Sequence, residues 1–405
     1  FMVVAVIAMG ILFLGGGSTV TIAQRMFEGM NSFALLAIPL YTFAGFTMSK
    51  GGISKRLMDF CYSIVGHIYG GLAHVNVLSS MIFAGISGSA VADTAGVSGM
   101  FMPEMIRKGY SKNFTVAVTA ISSTIGIIIP PSIPMVVIAG ICGISTGKLF
   151  LGGIIPGILC GLAQMIVSYF LAKKEGVPKE PGHFTIGPVL HGLWESWPAL
   201  LMPIIIVGTI TMGIVSPTEA GVIAVVYGLF AGGIIYRELK WEDIKFAFAE
   251  TVRTSGRIFI VIGAAKLYTV MLTTAGFDKW VAKTMLGFST NPTVILIVIL
   301  LIFFIVTMFM ESIATLTLFM PILYPIALGV GINPIVLSVL ITVVIGVGLV
   351  TPPVGMCIYV ACDLMDTTVG EVFPTLVPFI AATFVCIALM VAFPQLILLP
   401  TYLMA

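Results

Sequence analysis

Long apolar stretches follow one another along the whole chain and are separated by short polar segments. Clear examples are 199–215, 220–235 and 293–308. Each approaches the ~20 residues that an α-helix needs to cross the hydrocarbon core of a bilayer. Roughly ten or eleven such passes can be drawn at this length. The pattern therefore predicts an all-α polytopic membrane protein.

Composition supports this fold class and excludes others. The chain of 405 residues is 59% hydrophobic and only 9% charged, whereas soluble domains carry about 25% charged residues. The net charge of +2 comes with no basic or acidic tail, so we expect no nucleic-acid partner. The six cysteines lie mostly in apolar stretches without metal-ligand spacing, which is typical of small buried hydrophobic residues.

The two halves of the chain carry the same pattern. Asp93 precedes Pro103 of an FMP tripeptide by ten residues, and Glu311 precedes Pro321 of a second FMP by the same ten. Downstream in both halves, GIIIPP at 126–131 matches GLVTPP at 348–353. Matching anchors in the same order indicate an internal repeat.

Charge distribution gives the topology of this repeat. We predict a hairpin over 72–106 that enters from the cytoplasm and a second hairpin over 291–329 that enters from outside, each followed by a broken helix, at 114–142 and 335–363. This arrangement places most of the 19 Lys and Arg residues on the cytoplasmic side, as the positive-inside rule requires. The two repeats are then inverted, as in many secondary transporters.

These segments define the expected domains. The chain begins inside an apolar run, so we expect residues of the first transmembrane helix to precede Phe1. Five parts follow in order: scaffold helices with a first interfacial arm (1–71), the first transport-domain half (72–172), a cytoplasmic linker (173–183), scaffold helices with a second interfacial arm (184–290), and the second transport-domain half with a C-terminal helix (291–405).

Three amphipathic segments stand apart from the spans. Segments 53–64 and 277–288 precede the two hairpins and mix charged with large apolar residues, which favours helices lying on the membrane surface. Ordinary loops are the alternative. Segment 241–254 is also amphipathic, and we expect it to lie on the cytoplasmic side, before a separate span at 256–273.

The tip of the first hairpin reads GISGSA at 85–90. Small residues at a bend free backbone carbonyl groups and offer hydroxyl groups, and such backbone is tolerated at membrane depth only where it lines a cavity or is buried in protein. An oxygen-rich tip suits a hard cation such as sodium. A tight helix crossing packed through small residues is the alternative.

The broken helices carry a stronger signal. Pro130-Pro131 follows SSTIG at 122–126, and Pro352-Pro353 follows GVG at 346–348. Paired prolines remove amide donors and leave carbonyl oxygens unpaired, which is costly in lipid. Bound cations can satisfy these oxygens, and an anionic group can meet the helix N-terminus that follows. A simple proline kink is the alternative.

Ionisable residues within the apolar segments are candidate functional groups. Asp93 and Glu311 lie just past the two hairpin tips and either cap the second arm, orient the tip or balance a cation charge; we favour capping. Glu219 follows Ser216 at the start of a helical stretch, which favours an N-terminal cap. Asp363 is the fourth acid in these segments. Lys266 either pairs with an acid or faces an aqueous cavity.

Enzymatic chemistry finds little support. Gly85, Ser87 and Gly88 resemble an intramembrane serine protease site, but this chemistry needs a base near the serine. Of the four histidines, only His74 falls at the edge of a predicted membrane segment. No Gly-x-x-x-x-Gly-Lys-Ser/Thr loop is present either. We therefore expect neither an enzyme nor an ATP-driven pump in this chain.

Several motifs together resemble the large membrane subunit of tripartite ATP-independent periplasmic (TRAP) transporters. The similar segments are AQRMF at 23–27 with LLAIPL at 35–40, SGSAVAD at 87–93, STIG at 123–126 with IPPS at 129–132, SPTEA at 216–220 and TPPVG at 351–355. They extend over nearly the whole chain. Two features depart from the family pattern: Ile127-Ile128, where a proline is expected nearby, and Lys266.

The resemblance implies an elevator-type carrier of the bacterial inner membrane, in which both hairpins move against a scaffold. Its partners would be a small membrane subunit, a periplasmic substrate-binding protein and membrane lipid. The substrate would be an organic acid such as sialic acid or a C4-dicarboxylate. The resemblance implies sodium sites, mainly through backbone carbonyls, at Ser87, Gly88, Ser89, Gly126, Gly348, Thr351 and Val354. Substrate contact or structural support is expected from Asp93, Ser132, Glu311, Ser312 and Lys266.

The main hypothesis is thus sodium-coupled secondary uptake of an organic acid. The alternative is a stand-alone ion or dicarboxylate carrier that has the same architecture and needs no binding protein.

Overall fold

The computed structural model describes residues 19–177 and 185–404, and all regular elements within these two ranges are helical. The predicted all-α fold is therefore confirmed. The predicted span at 1–14 and most of the predicted linker lie outside the described residues. The α-helices are α1 (Thr19–Met30), α2 (Ala37–Lys50), α3 (Ile53–Val65), α4 (Gly71–Ser87), α5 (Ala90–Arg107), α6 (Lys112–Ser123), α7 (Ile133–Cys142), α8 (Thr146–Glu175), α9 (Ile186–Thr211), α10 (Pro217–Phe230), α11 (Trp241–Thr274), α12 (Phe277–Phe288), α13 (Pro292–Thr307), α14 (Ser312–Gly329), α15 (Pro334–Gly348), α16 (Met356–Asp363), α17 (Val369–Ala392) and α18 (Gln395–Leu398).

Seven helical segments in the described ranges are long and apolar enough to cross a bilayer, judged by length and composition. They are Phe33–Lys50, Thr146–Glu175, Ile186–Thr211, Pro217–Ile235, Trp241–Thr274, Ser312–Gly329 and Val369–Ala392. Shorter apolar helices include α4, α7, α13 and α15. Helices this short do not reach across the ~30 Å core alone, which suits the hairpin arms and the broken helices.

Both predicted hairpins consist of two packed helices. Helices α4 and α5 contact each other over the predicted 72–106 segment, and α13 and α14 do so over 291–329. The broken helices follow them, as α6 and α7 in the first half and as α15 and α16 in the second. The paired prolines lie in the two interruptions, and the Pro130-Pro131 and Pro352-Pro353 bonds are both cis.

Side-chain caps fix where several helices begin. Asn333 Oδ1 accepts from Ile335 N at 2.9 Å at the start of α15. At the start of α10, Ser216 Oγ accepts from Glu219 N at 3.3 Å, and Glu219 Oε2 accepts from Ser216 N at 2.7 Å. This reciprocal arrangement is a capping box. It confirms the capping role predicted for Glu219.

The helices form two groups. In the first group α2 packs against α10 and α11, α1 packs against α11, and α9 packs against α3 and α10. The second group contains both hairpins, both broken helices, α8 and α17. The groups meet at several places, among them where α2 and α3 contact α4 and where α11 contacts α14.

The halves of the chain interlock within the second group. Helix α17 packs along α6, where the rings of Phe114 and Phe379 stack with centroids 6.4 Å apart. The two broken helices also approach each other closely. A Cβ on Gly346 would lie 3.3 Å from Thr124 Cβ. The two interruptions therefore lie in one part of the molecule.

Helix α11 differs from the prediction of an amphipathic stretch followed by a separate span. It continues through 34 residues from Trp241 to Thr274, because no Pro interrupts this segment. At 1.5 Å per residue it is about 51 Å long. The other amphipathic segments are the separate helices α3 and α12, each packed beside a hairpin: α3 against α4, and α12 against α14.

Candidate functional site

The tip of the first hairpin is a two-residue bend between α4 and α5. Gly88 has a left-handed backbone with φ 67°, and Ser89 caps α5 through a long bond of 3.5 Å from Ala92 N. A Cβ on Gly88 would lie 2.7 Å from the carbonyl oxygen of Pro131. Glycine is required at this position for both reasons.

The first broken helix is bonded directly to this tip. Ile133 N, two residues after Pro131, donates to Gly88 O at 3.2 Å. Ser132 is fully buried, caps α7 and donates from its hydroxyl to Ile127 O at 2.5 Å. The tip and the interruption are therefore one connected backbone unit.

Asp93 contacts both the tip of the first hairpin and the interruption of the first broken helix. Its carboxyl group is fully buried and accepts a hydrogen bond from Ser87 Oγ. Oδ1 takes this bond, whereas Oδ2 has no hydrogen-bond partner in the described residues. A Cβ on Gly126 would lie 2.0 Å from Oδ2. The favoured capping role is wrong for Asp93, because Ser89 is the cap of α5 and Asp93 lies within its first turn, bonded to Ser87 of the tip.

The tip of the second hairpin uses its acid differently. Glu311 is the N-cap of α14, and its Oε2 accepts from Ile313 N at 2.8 Å and Ala314 N at 3.2 Å. Ser312 Oγ donates to the other oxygen, Oε1, at 2.5 Å. The capping prediction is confirmed for Glu311.

The second broken helix is also bonded to its own hairpin tip. Val354 N donates to Met308 O at 2.9 Å. Gly348 lies against the end of α13, where a Cβ would come within 2.7 Å of Thr307 Cβ. Thr351 turns its hydroxyl back to Val347 O at 2.7 Å. Both halves thus join a hairpin tip to a proline-paired interruption by one backbone hydrogen bond.

Both tips open onto one cavity of about 1050 Å³. The tip residues that line it are Ser87, Gly88, Ser89, Glu311 and Ser312. Another part of the wall comes from one face of α2 and one face of α11. The α2 stripe is Thr42, Gly45, Phe46, Ser49 and Lys50, and the α11 stripe is Phe246, Thr254, Arg257, Ile258 and Val261.

The charges of the cavity wall are uneven. Lys50 and Arg257 are cationic, and Glu311 is the single acid among the lining residues. The carboxylate of Glu311 already accepts two amide bonds and one hydroxyl bond. Lys50 Nζ lies 4.8 Å from the centroid of the Phe246 ring. The cavity therefore offers net positive charge to a ligand.

The predicted site residues divide into three groups. Ser87, Gly88, Ser89, Glu311 and Ser312 line the cavity. A second set does not line the cavity and lies at or beside the interruptions: Asp93, Gly126, Ser132, Gly348, Thr351 and Val354. Lys266 is elsewhere, because it is an exposed residue of α11 whose Cβ faces Gly29 of α1. The sodium and substrate roles of these residues stay predictions.

Sequence reasoning missed Lys50 and Arg257. The charge pattern counts both only among the Lys and Arg residues that place loops on the cytoplasmic side. The signal was available in the helical spacing of α11, because Thr254, Arg257, Ile258 and Val261 recur at three- and four-residue intervals and so share one face.

A buried polar seam between α4 and α6 was also missed. Asn76 Nδ2 donates to Thr119 Oγ1 at 2.7 Å, and Asn76 Oδ1 accepts from Ser122 Oγ at 3.0 Å. Ser80 Oγ adds a bond to Ser122 Oγ at 3.1 Å. The seam fixes the first arm of the first hairpin to the broken helix that follows it.

The family is shown by sequence comparison. Residues 1–396 match the family described as "Tripartite ATP-independent periplasmic transporter, DctM component". The chain is 36% identical over 377 residues to the sialic acid TRAP transporter large permease protein SiaM of Vibrio cholerae, covering 93% of this chain and 88% of SiaM. It is 34% identical to the C4-dicarboxylate TRAP transporter large permease protein DctM of Pseudomonas aeruginosa, covering 98% and 93%.

Other comparisons agree in fold. The isethionate TRAP transporter permease protein DctMQ of Oleidesulfovibrio alaskensis is 36% identical, and the match covers 89% of this chain but 57% of DctMQ. The solved structure of the Alcanivorax borkumensis YdaH transporter has a TM-score of 0.62 at 13% identity, covering 90% of this chain and 86% of that one.

Two hairpin units whose tips line one cavity are typical of a membrane transporter. The chain belongs to the DctM component family of TRAP transporters, whose members are inner-membrane proteins. Its relatives are named as permeases, not as enzymes. The resemblance stated from the motifs is confirmed.

Proposed function

We propose that the chain carries an organic acid across the inner membrane by sodium-coupled secondary transport. The observation that carries the proposal is the convergence of both hairpin tips on one cavity with net positive charge. Relatives named for sialic acid, C4-dicarboxylates and isethionate all handle anions, which suits this charge.

Sodium would bind behind the tips. The unpartnered Oδ2 of Asp93 is fully buried beside the interruption at Gly126. An unpaired buried carboxylate oxygen is costly unless a cation or a proton satisfies it. Hydroxyl and carbonyl oxygens of Ser87, Gly88 and Ser89 are close along the chain, and hard cations prefer oxygen ligands. In the second half, Gly348, Thr351 and Val354 are the corresponding candidates.

Movement of the hairpin group against the first helix group would expose the cavity to each side in turn, which is the elevator mechanism. The glycine contacts between the groups support sliding. A Cβ on Gly45 of α2 would lie 3.2 Å from Ser87 Cα, so backbones touch there without interlocking side chains. A small membrane subunit and lipid would cover exposed apolar side chains of α9 and α10, and a periplasmic binding protein would deliver the solute.

Uptake into proteoliposomes tests the proposal. The purified chain with its small subunit is reconstituted, and uptake of succinate, N-acetylneuraminate and isethionate is measured with and without an inward sodium gradient. Each measurement is repeated with and without the cognate binding protein. We expect sodium-dependent uptake of at least one acid.

Equal uptake with and without the sodium gradient would contradict sodium coupling. Equal uptake with and without the binding protein would favour the stand-alone carrier.

A further inference from the structure

Arg257 differs from most arginines of the described chain in having no acidic partner. Four others pair with a glutamate within 4 Å: Arg25 with Glu28, Arg56 with Glu238, Arg107 with Glu104, and Arg253 with Glu250. Arg257 has no such partner among residues 19–177 and 185–404. It also lines the cavity onto which both hairpin tips open.

The surroundings of Arg257 are apolar. On the same stripe of α11 it lies between Thr254 and the aliphatic side chains of Ile258 and Val261. Arg257 is exposed, so its guanidinium group is accessible to a ligand in the cavity, and charged groups within membrane segments usually mark a ligand path. Among the described residues, Arg257 makes no ion pair within 4 Å with Glu311, the one acid lining the cavity, whose oxygens accept hydrogen bonds from α14 and Ser312.

Lys50 extends the positive charge toward the end of the cavity. Its ammonium group lies over the ring of Phe246, and Phe246 precedes Arg257 by eleven residues on α11. These residues are therefore about 16 Å apart along the helix axis. The cavity wall thus carries one cation at the C-terminal end of α2 and a second one farther along α11.

We infer that Arg257 binds the anionic group of the transported solute from the scaffold wall and so determines that the solute is an acid. The inference deepens the proposed function and rests on it. A guanidinium group holds a carboxylate or a sulfonate through two parallel N–H bonds, which a lysine cannot reproduce. Hydroxyl groups and backbone of the hairpin tips then hold the rest of the solute on the opposite side.

Arg253 provides a matched control. It lies one helical turn before Arg257, on the same helix, and its Nη1 is 2.6 Å from Glu250 Oε1. It does not line the cavity. Arg253→Gln and Arg257→Gln therefore remove the same charge from the same helix, but only the second removes it from the cavity.

The experiment measures uptake in proteoliposomes against the concentration of the acid and, separately, of sodium. We expect Arg257→Gln to raise the half-saturating acid concentration about tenfold or more, since a charged hydrogen-bond partner is lost. Arg257→Lys should recover part of this affinity. The half-saturating sodium concentration and the behaviour of Arg253→Gln should stay as in the wild type.

Equal acid affinity in Arg257→Gln and Arg253→Gln would overturn the inference and leave the proposed function intact. A loss in Arg257→Gln of maximal rate alone would also overturn it, because Arg257 would then support the fold or contact a partner or lipid. A wild-type protein that takes up none of the three acids would instead overturn the proposed function itself.

Discussion

The two hairpins share one topology but place their acids in different roles. In the first hairpin, α5 begins at Ala90, so Asp93 falls inside the first helical turn and reaches Ser87 and Gly126. In the second hairpin, α14 begins only after Glu311, which therefore becomes the cap. The spacing from acid to proline is the same in both hairpins, but the second helix starts about one turn later relative to its acid.

The first arms of the hairpins differ as well. Helix α4 presents Asn76 and Ser80 to the hydroxyl groups of α6, whereas α13 is almost entirely aliphatic and aromatic. Hydrogen bonds fix the first hairpin to its broken helix, while the second hairpin packs against α15 through apolar contacts. The repeat thus preserves the path of the backbone but not the interactions that hold it.

The largest expected effect is at the glycine beside Asp93. Gly126→Ala would place a Cβ 2.0 Å from Asp93 Oδ2, and overpacking of this kind costs about 1–3 kcal/mol. We expect transport to be lost. Gly99→Ala in α5 is the control, since no heavy atom lies within 4 Å of its Cβ. Thermal unfolding and uptake of both variants check this, and equal behaviour would contradict the contact.

Removal of each acid charge should separate the two tips. Asp93→Asn should raise the half-saturating sodium concentration about tenfold or more, because unit charges 4 Å apart attract by about 4 kcal/mol at an effective dielectric constant of 20. Glu311→Gln should change it less, since its oxygens are already occupied by α14 and Ser312. Sodium titrations of uptake provide the measurement. A larger rise in the half-saturating sodium concentration for Glu311→Gln than for Asp93→Asn would contradict the assignment of Asp93 as the acid beside the sodium site.

The polar seam should show a measurable coupling. A double-mutant cycle of Asn76→Ala and Ser122→Ala is expected to give about 0.6 kcal/mol, the average for hydrogen bonds in a membrane helix bundle. Unfolding of the purified protein supplies the free energies. Asn76→Ala combined with Ser338→Ala is the control, because the Ser338 hydroxyl donates to Pro334 O of its own helix. Similar coupling free energies from both cycles would show that the hydrogen bond between Asn76 and Ser122 does not contribute to stability.

The smallest effect is expected at the cap of the first hairpin. The bond from Ala92 N to Ser89 Oγ is long, at 3.5 Å, so Ser89→Ala should lower the free energy of unfolding by no more than about 0.5 kcal/mol, the low end for caps. Glu311→Ala, which removes two amide acceptors, should cost up to about 2 kcal/mol. The free energy of unfolding of both variants is measured in the absence of sodium. An equal cost would mean that the two caps are equivalent.

Much of this fold can be predicted from the sequence because membrane helices need long apolar runs and broken ones need prolines. The bounds of α4, α5, α13 and α14 lie within two residues of the predicted hairpin ends. The prolines at 130–131 and 352–353 give both interruptions. Apolar runs and prolines act on the helix in which they occur, so both features can be read from the sequence without knowing which helices pack together.

The site was less predictable because it depends on which faces meet. Arg257 has the sequence context of an ordinary topology-determining charge, and only the packing of α11 against α14 places it in the cavity. Lys266, nine residues later on the same helix, faces α1 instead. The different roles of Asp93 and Glu311 likewise depend on where a helix starts, which their shared spacing does not reveal.

The most direct test is an electron cryo-microscopy structure of the reconstituted transporter with sodium and the acid that gives the strongest uptake. The account predicts density for the acid between the two tips, bounded by Ser87–Ser89, Glu311–Ser312 and Arg257. Density for the acid outside this cavity, with the tips closed on each other, would contradict it.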